Sequence, residues 1–120
     1  MDKQGLKVLF HVNEMEKWDT ALGNITNLIK DVGRGGAEIK VVANGPSVAA
    51  YSDSSRLEVM KALADDGALF MACRNSLRKM CAGTDTCLTE AALPPFIKIV
   101  PAGITEIVRS QSEGFAYVKP

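Results

Sequence analysis

The chain of 120 residues is 47% hydrophobic and sets 14 Lys and Arg against 14 Asp and Glu. That apolar share supports one ordinary core without metal or disulfide staples, so a single domain over residues 1–120 is expected. Zero net charge offers no long-range attraction to nucleic acid or an anionic membrane, and no apolar run approaches a membrane span or sits in a signal-peptide pattern, so a cytoplasmic protein with neither partner is expected.

Lys7 to Val12 is rich in β-branched and aromatic residues and reads as a strand; Asn13, with Glu16 three places on, forms a helix-start signature behind it. Trp18, Ala21, Leu22, Ile25, Leu28, Ile29 and Val32 recur at helical spacing up to Gly33. Glu38 to Ala43 is a second strand, closed by Asn44-Gly45-Pro46, with a short helix running towards Tyr51. Ser55 and Glu58 repeat the capping signature ahead of Leu57, Met60, Leu63 and Ala64. Ala68 to Cys73 has no polar member, as expected of a central strand covered on both faces, and Arg74 to Cys81 follows as a helix. Residues 82–95 lose periodicity and carry Gly, Thr, Asp and paired Pro, which predicts a long loop. Phe96 to Val100 is a strand, Ile104, Ile107 and Val108 mark a last helix ended by Gly114, and Phe115 to Val118 a final strand.

Strands alternating with helices across short connections predict a three-layer α/β/α sandwich on a mainly parallel sheet of about five strands, a flavodoxin-like architecture. In open sheets of this kind chemistry collects at the carboxyl ends of the strands. His11, Asn13, Asn44, Gly45, Cys73, Arg74, Asn75 and the Pro101–Gly103 segment therefore gather on one edge. Gly33 to Gly36 fall at the opposite edge and are read as a helix stop, not a phosphate cradle.

Cys73 is the leading candidate, because at a helix start unpaired amides and the helix dipole favour its thiolate, with Arg74 and Arg78 adding positive charge. The competing reading is a small core hydrophobe at a strand end. The odd count of Cys73, Cys81 and Cys87 points to reduced thiols in place of a disulfide framework. Cys81 is eight residues on, roughly 12 Å along a helix and out of direct reach of Cys73. Cys87 is either an ordinary loop thiol or a resolving thiol for Cys73. These cysteines and His11 fall short of a zinc ligand set, so no metal and no cofactor are expected.

The segments LFHVNEMEKW, VVANGPSV, LFMACRNSL and VPAGITEIVRSQSEGFAYVKP, in this order through nearly the whole chain, resemble the DsrE/DsrF-like family of small cytoplasmic proteins. The clearest pieces are Cys73 followed by Asn75, Ser76 and Leu77, and the run from Pro101 to Tyr117. The resemblance implies homo-oligomers, trimers or hexamers, and a role in sulfur relay in which the family cysteine, matched here by Cys73, takes sulfur as a persulfide from a donor protein and hands it to an acceptor. Cys81 to Leu93 departs from the pattern, since related sequences are generally shorter there and lack the cysteine pair.

Three functions are therefore weighed: a sulfur carrier or sulfurtransferase subunit acting through Cys73, a non-catalytic oligomeric module binding a small anionic or nucleotide-like ligand at the strand-end cluster, and a redox sensor using Cys73 and Cys87. A receiver domain is rejected because the first strand ends in HVNE without an acidic pair, and dinucleotide binding because no GxGxxG follows that strand.

Overall fold

The computed structural model describes residues 5–83 and 87–120. Its elements in chain order are β1 (Leu6–Val12), α1 (Trp18–Val32), β2 (Ala37–Ala43), α2 (Ser54–Asp65), β3 (Ala68–Cys73), α3 (Arg74–Gly83), β4 (Ile97–Val100), α4 (Gly103–Ser112) and β5 (Ala116–Val118). Single 3-10 segments occupy Met15–Lys17, Gly45–Ser52 and Glu90–Ala92. The five strands form one parallel sheet in the order β4-β3-β2-β1-β5. This is the three-layer α/β/α sandwich expected from the alternation of elements.

The strand order decides which helix covers which face. From β1 to β4 each crossover steps the same way across the sheet, so right-handed connections place α1, α2 and α3 on one face. The connection from β4 runs back past β1 to β5, which puts α4 on the other. The larger core joins Val8, Phe10 and Val12 of β1, Val41 of β2 and Phe70 of β3 to Trp18, Ile25, Met60 and Leu77 of the three helices. The smaller core joins Leu9, Val42, Met71 and Val100 of the strands to Ile107 of α4 and to Phe115. Side chains alternate along a strand, so His11 stands with Leu9, and Cys73 with Met71, on the α4 face.

Both helix starts differ in detail from the sequence expectation. α1 begins at Trp18 after a 3-10 turn, with no side chain capping it. Asn13 is thus too far upstream to cap, and its Oδ1 instead accepts from Lys119 Nζ at 3.4 Å. For α2 the cap is Asp53, whose carboxylate accepts the Ser55 N–H at 3.1 Å, because Ser55 is already inside the helix.

The expectation of reduced thiols at Cys81 and Cys87 is corrected. The chain returns to Cys87 with its Cα 4.3 Å from that of Cys81, and the two sulfurs are bonded. Cys73 is the free cysteine, and it is buried. The expected loop also holds some order: the 3-10 turn at Glu90–Ala92 and the buried Leu93. Its residues 84–86 lie outside the described part of the chain.

Candidate functional site

Cys73 is the last residue of β3 and Arg74 the first of α3, so the helix opens directly on the thiol. Burial raises its pKa and is the largest single influence. Four hydrogen bonds oppose it, from the Ser76 hydroxyl and from the backbone N–H groups of Gly103, Ser76 and Asn75. Their sum holds the thiol below its ordinary value, because each bond favours the anion. Two helix starts therefore converge on one sulfur: Asn75 and Ser76 open α3, and Gly103 opens α4.

Ser76 links this sulfur to the second strand. Its Oγ accepts the Gly45 N–H at 2.7 Å, which leaves its own proton for the thiolate. Gly45 takes φ +61°, a conformation that side chains disfavour, and so turns its amide towards α3. The turn is anchored by the buried Ser47, whose hydroxyl donates towards the carbonyls of Val12 (2.6 Å) and Asn44 (2.7 Å), and by Trp18 Nε1, which donates to the Ser47 carbonyl at 2.9 Å.

A second group of side chains fills the same edge one strand further on. His11 Nε2 lies 2.9 Å from Asn44 Oδ1, and His11 Nδ1 lies 2.6 Å from the Tyr117 hydroxyl. Since Oδ1 only accepts, Nε2 donates to it, and in the neutral ring Nδ1 then accepts from the Tyr117 hydroxyl. The amide nitrogen of Asn44 faces Gly103: a Cβ on Gly103 would stand 3.4 Å from Nδ2 and 3.2 Å from Asn44 Cβ. The His11 group thus touches the residue whose N–H reaches Cys73. The strand order reverses between β1 and β5, which places His11 and Tyr117, and not Cys73, at the switch point of the sheet.

Of the residues expected at the site, Cys73, Asn75, Asn44, Gly45 and His11 are brought together through these contacts. Asn75 contributes its backbone only, its side chain being exposed. Asn13 is turned to Lys119. Arg74 is paired with Glu90, Nε to Oε2 at 2.7 Å, so its charge is satisfied by that carboxylate. Cys87, expected as a resolving thiol for Cys73, is bonded to Cys81 instead. Gly103 belongs to the Pro101–Gly103 segment expected on this edge, whereas Ser76 and Tyr117 were not among the residues expected there. Ser76 lies three residues past a strand-terminal cysteine, one helical turn, and that spacing is the signal that could have found it.

No group of three or more His, Cys, Asp or Glu suited to a metal occurs among the described residues, and no helix there is long and apolar enough to cross a membrane. No family model matches the chain, and no curated protein matches it. Among solved structures it is similar to the protein of unknown function MTH1491 from Methanobacterium thermoautotrophicum, at 29% identity over 96% of this chain and 99% of that one, with a TM-score of 0.83.

Proposed function

We propose that the chain is a sulfur carrier of the DsrE/DsrF-like kind, holding a persulfide on Cys73 and passing its outer sulfur to a partner thiol. The observation that carries this reading is the stabilised thiolate of Cys73 at the meeting of two helix starts. In the loading step the Cys73 thiolate attacks the outer sulfur of a donor persulfide; a new S–S bond forms at Cys73, the donor's S–S bond breaks, and the donor leaves as a thiolate. In the unloading step an acceptor thiolate attacks that outer sulfur, the bond to Cys73 breaks, and the Cys73 thiolate returns. No electrons are gained or lost overall, so no cofactor enters. Amides that favour the thiolate also make Cys73 a good leaving group in the second step.

Donor and acceptor proteins are the partners this chemistry requires, and a homo-oligomer, trimeric or hexameric, completes the proposal. Its test is the intact mass of the protein after incubation with a persulfide donor. A gain of one sulfur, lost on adding an acceptor thiol and absent in Cys73→Ser, is expected. No gain, or an undiminished gain in Cys73→Ser, overturns it.

The His11–Asn44–Tyr117 group favours one alternative, a module that binds a small ligand at the switch point without covalent chemistry. A ligand-induced thermal shift indifferent to Cys73→Ser but lost in His11→Ala would support that alternative over sulfur transfer.

A further inference from the structure

The Cys81–Cys87 bond lies where a purely structural staple has little to hold. Neither residue belongs to either apolar core, and at a sequence separation of 6 the link closes only a short loop of the unfolded chain. Cys81 is half-buried on α3 and Cys87 is exposed, so Cys87 is the more accessible residue of the pair to an attacking thiolate.

What surrounds the bond connects it to Cys73. α3 starts beside Cys73 and carries Cys81 in its last turn. Beyond Cys87 the chain runs back along that helix, Leu88 packing on the larger core and Glu90 returning to Arg74 at 2.7 and 3.3 Å. A cleft of about 370 Å³ between Leu77, Arg78 and Cys81 on the helix and Leu88 and Glu90 on the returning segment separates the two. The segment that leaves the disulfide thus clasps the residue next to the reactive thiol.

We propose that Cys81 and Cys87 form a reversible dithiol–disulfide site, worked by a dithiol reductant and its oxidised form, whose state sets how firmly Glu90 is held on Arg74 and so how readily Cys73 is reached. In the reducing direction a thiolate of the external dithiol attacks the Cys87 sulfur, and Cys81 leaves as a thiolate and takes a proton. The second thiol of the reductant then attacks its own sulfur in the mixed disulfide and releases Cys87. Two electrons pass from the dithiol to the protein, and the reductant departs as a disulfide. Cys73 takes no part in the exchange, being buried and roughly 12 Å along α3 from Cys81. The site is independent of sulfur relay, since it needs no persulfide.

The full chain is equilibrated in buffers of reduced and oxidised dithiothreitol at graded ratios, quenched by alkylation and weighed. Two thiols appearing together in one transition are expected, unchanged in Cys73→Ser and absent in Cys81→Ser/Cys87→Ser. In the same samples, kept folded, the rate of Cys73 alkylation is followed by peptide mass. It is expected to rise about fivefold on reduction, the most that release of one exposed ion pair supplies, with Glu90→Gln reproducing the rise in the oxidised protein. Three free thiols at every ratio, or a bond that the native protein never yields to the dithiol, overturns the reversible site. Equal Cys73 rates in both states, or a Glu90→Gln protein no faster than the parent, overturns the coupling. Persulfide loading of Cys73 is scored separately, so either proposal can fail while the other stands.

Discussion

Ser76 makes two hydrogen bonds with one oxygen, accepting from Gly45 and donating to Cys73, and each depends on the other for direction. Replacing it by Ala removes a charge-assisted bond to the sulfur and leaves the Gly45 amide without its acceptor. Ser76→Ala is expected to raise the Cys73 pKa and slow its alkylation at neutral pH about tenfold, read from the pH dependence of the rate. A rate unchanged across the pH range would remove Ser76 from the site. The shift has a stability counterpart with a definite sign. Because the folded thiol titrates below its unfolded value near 9.0, ionisation favours the folded state; the contribution is full above that pH and fades as pH falls through the folded value. Wild type should therefore gain stability relative to Cys73→Ser as pH rises towards 9.0, seen in denaturant melts at each pH. Gly103 answers a second question at this scale, since a Cβ there would meet Val42 Cγ1 at 3.3 Å and Asn44 Cβ at 3.2 Å. Gly103→Ala is expected to cost about 1–2 kcal/mol and to raise the Cys73 pKa, because α4 must back away from the sulfur. His11, Asn44, Gly45 and Cys73 were legible in the sequence because each closes a strand. Gly103 was placed on the same edge by its position after β4, but its N–H contact with Cys73 was not legible, and Ser76 was missed because it acts through helical spacing on a sulfur whose neighbours only the fold brings close.

At the scale of elements, α4 is held differently from the other helices. It presents one large buried apolar side chain, Ile107, and compensates with a polar anchor: Lys40 of β2 reaches Glu106 Oε2 at 3.2 Å and Ser110 Oγ at 3.1 Å, with the Phe115 ring centroid 4.4 Å from its ammonium. The Lys40 and Glu106 side chains are only 14% and 16% exposed, so cutting the pair strands a half-desolvated carboxylate. Lys40→Ala is expected to destabilise the fold by about 3 kcal/mol in a denaturant melt, and Lys40→Ala/Glu106→Gln by less. If the double variant is no more stable than the single one, the pair is not what anchors α4. Lys40 stands out in the sequence as a charge between the apolar Ile39 and Val41 of β2, but its partner 66 positions away does not. The helix caps failed for a related reason. Asn13 and Ser55 both sit near a helix start with Glu three residues on, yet a 3-10 turn delays α1 to Trp18 and Asp53 takes the α2 cap. Local pattern locates a helix more reliably than the residue that begins it.

The whole molecule follows from one reversal in strand order. Alternation of strands and helices was enough to foresee a parallel sheet between helical layers, since that much needs only periodicity and the rule of right-handed crossovers. The order β4-β3-β2-β1-β5 was not foreseeable, because β5 has three residues and nothing in them states that they pair with β1. Yet that pairing decides the surface. It sends three helices to one face and leaves the other to α4 alone, whose outer side exposes Ile104 (63%) and Val108 (60%) one turn apart. The inner side of the same helix carries the buried Gly103, Ile107 and Ser110, so Ile104 and Val108 belong to its outer side. Burying one such aliphatic side chain contributes roughly 1.5–3 kcal/mol, enough that repeating it around a ring of subunits would favour assembly. If the proposed homo-oligomer forms through this helix, Ile104→Glu/Val108→Lys should lower the mass found by light scattering to that of a single chain. The melting profile should stay close to that of the parent once subunit concentration is matched, because neither side chain supports the core. A double variant that keeps the parent's mass would place the interface elsewhere. A parent that already runs as a single chain at the highest concentrations tested would withdraw the oligomer itself.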